Sequence, residues 1–211
     1  MLDNMRMVVL AAVEVVAVFT WIILFIWRLQ FTFPDFALFL LGFLVLTFFI
    51  HRNGVYSLGI GSRGLISGLR TLAAPTAILA VALILVGVIV GELDTGSITE
   101  GKLWGLGRYF AWCLFQQFGL QSFFTNRLLT VFKEPNRTAW ASAVVFGAFH
   151  IPNPILIPVT FLGGYLLTRV FIKHRNLVPL AAAQAIIGSL LAAALPGAWH
   201  HGLRVGPGYY R

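Results

Sequence analysis

Long apolar runs separated by short polar or basic breaks make up nearly the whole chain. Val8 to Trp27 is apolar except for Glu14, and its roughly 20 residues are enough to span a bilayer as a helix. It has neither a strongly basic leader nor a small-residue cleavage site, so it reads as a retained first helix and not as a signal peptide. Phe36 to Ile50 is the second run, introduced by Pro34 and closed by His51, Arg52, Asn53 and Gly54. A glycine-rich basic stretch follows to Arg70, with the character of an interfacial helix or loop. Leu72 to Val90 is the third span, and Glu92, Asp94 and Glu100 after it form the one concentrated acidic stretch. Leu103 to Leu129 is long for one span and ends in a basic loop of Arg127, Lys133 and Arg137. Ala139 to His150 runs into Ile151-Pro152-Asn153-Pro154, where two prolines break the helix. Ile155 to Val170 and Leu177 to Leu195 complete the set, and the tail after residue 195 is turn-rich and aromatic.

The pattern predicts an all-α fold, a polytopic transmembrane bundle of about seven helices. Two amino-terminal helices occupy residues 1–54, a membrane core 55–195 and a tail 196–211. Composition agrees: 59% of the 211 residues are hydrophobic and 10% charged, where a soluble domain carries about 25% charge. The net charge of +8 falls in short clusters between apolar runs. That distribution fits cytoplasmic loops and lacks the continuous basic face that nucleic acid requires. Segments 51–70, 127–137 and 169–175 are accordingly read as cytoplasmic, with the amino terminus beside them and the carboxyl terminus outside.

Against this apolar ground, Gln116, Gln117 and Gln121 are conspicuous. Gln117 and Gln121 are four residues apart and share a helix face, with Gln116 about 100° around from Gln117. An unpaired amide in an apolar medium costs several kcal/mol, about 4–8 on the alkane reference. The stripe is therefore expected to face other helices or a wet cavity. At 1.5 Å per residue, Gln116 lies about 20 Å along its helix, His150 about 17 Å along its own and Gln184 about 10 Å. These depths permit one polar chamber. Glu14 is either a carboxylate facing the bundle interior or one at headgroup level.

The order and spacing of these residues resemble the CAAX prenyl protease and bacteriocin-processing (CPBP) family of glutamate-type intramembrane proteases. The family's first motif reads E-E-x-x-x-R, and Gln116-Gln117-Phe118-Gly119-Leu120-Gln121 occupies its frame. The second, F-x-x-x-H, is matched by Phe146 to His150. The third, H-x-x-x-N, has Gln184 and Gly188 in its two defining places. Asn176-Leu177-Val178-Pro179 and Leu58-Gly59-Ile60 also look family-like, so the similarity extends over residues 55–192.

The resemblance implies an intramembrane endopeptidase in which paired glutamates activate water and histidine and asparagine assist. A glutamine cannot take that part, because its amide has no accessible protonation equilibrium near neutral pH. His150 can still serve as a base or oxyanion donor, but its expected partners are gone. Gln116, Gln117 and His150 are thus the family-equivalent catalytic positions, and Gln121, Gln184, Cys113 and Phe146 are candidates to line a binding chamber. Cys113, one turn before Gln117, can instead be a nucleophile if it meets His150; the plainer reading is an apolar filler. No metal or other cofactor is expected. His150 would have only neutral amides around it, and His200 and His201 are read as exposed.

The leading expectation is a catalytically impaired relative in a bacterial or archaeal cell membrane, its chamber holding a membrane peptide, a prenylated chain or another lipid. The alternatives are an active intramembrane protease, with Glu14 or Glu92 as substitute carboxylate, and a transporter or structural subunit.

Overall fold

A computed structural model describes residues 2–93 and 99–211, and every regular element among them is helical. Asp94 of the acidic stretch lies outside the described residues. Helix α1 (Leu2–Leu24) continues through a π turn at Phe25–Leu29 and a last turn at Gln30–Thr32. Then come α2 (Phe36–Ile50) and α3 (Leu65–Val90). Helix α4 (Glu100–Gln117) passes without a break into a π-helical segment, Phe118–Thr125, and then α5 (Asn126–Phe132). Helices α6 (Pro135–Ala148), α7 (Leu156–His174) and α8 (Val178–Ala194) follow, and a short α9 (Gly197–His200) opens the tail. With α4 to α5 taken as one rod, seven long rods and the short α9 correspond to the expected bundle.

Among the described residues, three helices are long and apolar enough to cross a membrane: Met5–Thr32, Leu65–Val90 and Leu156–His174. Helices α2 and α8, with 15 and 17 residues, are shorter apolar rods. Large apolar side chains cover the outside, Ile89, Phe49 and Ile78 each being more than 70% exposed. A water-facing surface would not carry so much, whereas lipid accepts it.

The rod from Glu100 to Phe132 organises the interior. Every side chain from Leu120 to Thr125 is buried, so this part of the rod is enclosed on all sides. Phe123 and Phe124 pack with Val18 of α1, Phe48 of α2 and Phe146 of α6. A second cluster joins Leu72 of α3 to Phe171 of α7 and Leu180 of α8. Gly87 lets α3 approach α8 closely, since a Cβ there would stand 2.8 Å from the Ala194 Cβ. Small residues at helix crossings are the usual means of close approach inside a bilayer.

Several sequence expectations need correction. The expected span Leu103–Leu129 lies within one continuous rod, but its middle, Phe118–Thr125, has π and not α geometry. Arg127 is not in a basic loop; it lies in α5 with 1% of its surface exposed. Its Nε donates to Glu14 Oε2 at 2.6 Å, and its two terminal nitrogens donate to Asn53 Oδ1 and the Thr47 carbonyl. Glu14 therefore faces the interior, tying α1 to the central rod. His51 Nε2 lies 3.0 Å from the same Glu14 oxygen without hydrogen-bonding alignment. Burial and the Arg127 charge push its pKa down, against the opposing pull of Glu14.

Helix α6 begins four residues before the predicted Ala139. Glu134 caps it by accepting from the backbone N–H groups of Asn136 and Arg137 at 2.8 and 2.6 Å, and Pro135 takes the first helical position. The Arg137 and Asn136 amides hold the Glu134 carboxyl below the usual carboxylate range. A depressed acid contributes stability above its unfolded pKa of about 4.3, lost as pH falls through the folded value. Melting in detergent should therefore lose a component below about pH 4.3 that Glu134→Gln lacks. Identical acid limbs in parent and variant would contradict this cap.

The proline break also holds more than a break. Asn153 is fully buried; its Oδ1 accepts from the Ile155 and Leu156 amides and its Nδ2 donates to the His200 and Arg204 carbonyls. The tail is thereby folded back, and His200 is buried, contrary to expectation, while His201 is exposed against Tyr209.

Candidate active site on the central rod

The central rod reaches Gln116 and Gln117 at the end of α4 and enters the π segment one residue later. π geometry inside an α-rod is uncommon and frequent at functional sites, because it widens the helix and redirects side chains. Here it delivers Gln121, Thr125 and the preceding glutamines onto one continuous polar line. Gln184 of α8 donates through Nε2 to Gln116 Oε1 at 2.6 Å. Gln117 Nε2 donates to Gln184 Oε1 at 2.7 Å, and Gln121 Nε2 donates to Gln117 Oε1 at 3.0 Å. Gln121 Oε1 then accepts from Thr125 Oγ1 at 2.9 Å and Thr168 Oγ1 at 3.2 Å. Thr125 also meets Ser142 Oγ at 3.1 Å.

The four amides thus run head to tail from half-buried Gln116 and Gln184 to Gln117 and Gln121, both fully buried. A carboxamide both donates and accepts, which allows such a chain to close without charge; a carboxylate accepts only. Glutamates at 116 and 117 would lose the Gln117 donation to Gln184 and place added negative charge in a desolvated site.

Gly188, in the place of the family's asparagine, is explained by α4. A Cβ at Gly188 would stand 1.9 Å from the Tyr109 hydroxyl, so the phenol occupies the space that a side chain at 188 would need. Tyr109 also hydrogen bonds Cys113, which is fully buried one turn along the same helix. The thiol's neighbour is therefore the phenol. Sequence reasoning did not find Tyr109; the missing side chain at 188 was the one available signal.

His150 lies in the turn after α6, buried, with Nδ1 2.7 Å from the Phe146 carbonyl and its ring edge-to-face with Phe146 at 4.9 Å. A carbonyl partner makes Nδ1 the protonated nitrogen and leaves Nε2 as the basic one. Phe146 itself is buried in the aromatic cluster. The glutamines of α4, the π segment and α8 meet each other; among the described residues no hydrogen bond joins them to His150. Glu14 goes to Arg127 and His51, away from the amide chain.

Residues 98–190 match a family model described as Type II CAAX prenyl endopeptidase Rce1-like. The resemblance to the CAAX prenyl protease family is thereby shown over that stretch. All three motif frames fall within this Rce1-like stretch, from Gln116 to Gly188, whereas the family-like look of residues 55–97 lies outside it. No curated protein and no solved structure matches the chain. The Rce1-like stretch and the three long apolar helices identify an integral membrane protein with a CAAX-protease-like core.

Proposed function

We propose that this protein is a catalytically impaired relative of the CAAX endopeptidases, a multi-pass protein of a bacterial or archaeal cell membrane whose glutamine-lined chamber binds a membrane peptide, a prenylated chain or another lipid-like ligand. The reading is carried by the closed amide chain from Gln116 through Gln184 and Gln117 to Gln121. It is neutral, every link is satisfied, and none of its members can take a proton from water at neutral pH. The partly exposed pair Gln116 and Gln184 would meet the ligand first, offering amide donors and acceptors to a peptide backbone or a headgroup. Glu14, the carboxylate most available as a substitute base, is committed to Arg127.

The test is cleavage of a prenylated and membrane-peptide library by the purified protein in detergent. The parent is expected to release no product, and Gln116→Glu with Gln117→Glu to create a measurable rate. Parent cleavage that His150→Ala abolishes would make the protein an active intramembrane protease and reject the proposal. If activity appeared and alkylation of Cys113 destroyed it, the thiol would be the nucleophile.

A further inference from the structure

A second polar region lies at the other end of the rod. The loop of residues 51–64 is fastened across it: Ser122 Oγ donates to the Leu58 carbonyl at 2.6 Å, and Asn126 Nδ2 donates to the Ser57 carbonyl at 2.9 Å. On its other side, Asn176 Nδ2 donates to the Gly61 and Arg63 carbonyls, and the Leu177 amide to the Gly59 carbonyl. Between this loop, α5 and the end of α7 an open cleft of about 400 Å³ remains, with Tyr56, Ser57, Asn126, Arg127 and Arg175 among its walls. That is within the range of small-ligand sites, roughly 300–1,000 Å³.

The cleft has one sign of charge. Segments 51–70, 127–137 and 169–175 each carry three Lys or Arg, and Glu134 is their one acid. Arg127 is neutralised by Glu14. Arg175 is not: half-buried, it donates to the neutral Asn126 Oδ1 at 2.6 Å and lies over the Phe171 ring at 5.1 Å, with no carboxylate partner among the described residues. Its backbone is also held at φ 52°, a left-handed position where helices usually end in glycine or asparagine. Arg63, outside the lining itself, lies over the ring of the wall residue Tyr56 at 4.9 Å.

We propose that this cleft binds a phosphate group, gripped by the Arg175 guanidinium, with Tyr56 in the wall and Arg63 stacked on its ring. A planar guanidinium matches phosphate oxygens two at a time, and a half-buried one without a carboxylate has its charge free for that purpose. The basic loops put this end at the cytoplasmic face, where anionic lipid headgroups concentrate. The phosphate can belong to such a headgroup or to a soluble anion.

The experiment measures thermal stabilisation of the whole protein in zwitterionic detergent by dihexanoyl phosphatidic acid, dihexanoyl phosphatidylcholine and inorganic phosphate. Saturable stabilisation by phosphatidic acid is expected at concentrations at least about tenfold below those phosphatidylcholine needs. Arg175→Gln should raise the half-saturation at least about tenfold. Ser57→Asp should do the same by setting a carboxylate in the wall while leaving the guanidinium in place, and Arg137→Gln, outside the cleft, should change nothing. Equal binding of inorganic phosphate would make the ligand a free phosphate, and lipid-only binding would make it a headgroup; either supports the site. Absence of saturable stabilisation by both, or equal losses in Arg137→Gln and Arg175→Gln, would overturn it.

Discussion

Arg127→Met is expected to lower stability by about 3–5 kcal/mol, the cost of leaving one member of a buried ion pair alone. It would strand the Glu14 carboxylate inside the bundle and remove the donors to Asn53 Oδ1 and the Thr47 carbonyl. Glu14→Leu should cost a similar amount for the reciprocal reason. The double variant should fall well short of the sum, because removing both charges together is often nearly neutral, whereas removing one leaves the full desolvation penalty uncompensated. Denaturant or thermal unfolding of all four proteins in one detergent checks this. Additive losses would mean that the two residues act independently, against the 2.6 Å contact.

Gln121→Leu is expected to cost about 2 kcal/mol, from three interhelical or intrahelical bonds at the roughly 0.6 kcal/mol average measured within membranes. Water-based values for unsatisfied buried groups, about 1–3 kcal/mol each, would give more. The smaller figure is preferred because threonine hydroxyls can turn to carbonyls of their own helix. Gln116→Leu should cost below about 1 kcal/mol, since it breaks one bond at a half-buried position. Unfolding midpoints of the two variants compare them directly. A Gln121→Leu loss no larger than that of Gln116→Leu would show that the chain's inner end does not hold the helices together.

Much of the architecture was readable because it rests on local signals. Apolar run length predicts rods, prolines and basic clusters predict breaks, and the glutamines at 116, 117, 121 and 184 announce a shared interior simply by being expensive to leave apart. The pairing of Glu14 with Arg127 was not readable, since the partners are 113 residues apart and an arginine at the end of an apolar run looks like a loop residue. Tyr109 was hidden among other aromatic residues of α4, and its role follows from contact with a glycine on another helix. Asn153 looked like loop filler between two prolines, while two of its four hydrogen bonds, to the His200 and Arg204 carbonyls, join parts of the chain that are distant in sequence. His150 sits in the expected frame, but its ring hydrogen bonds the Phe146 carbonyl of the helix just before it, which spacing along separate helices could not show.

The π segment adds a constraint on how this sequence can change. Gln117 and Arg127 belong to two polar centres on one rod, and Phe118–Thr125 between them sets the angle at which each leaves it. A π turn holds more residues than an α turn, so the same stretch recast as unbroken α-helix would leave the rod at a different angle, carrying Arg127 away from Glu14 while the glutamines stayed in place. Substitutions in this stretch are therefore constrained by more than packing, since a change that restored α geometry would put the two ends of the protein out of phase.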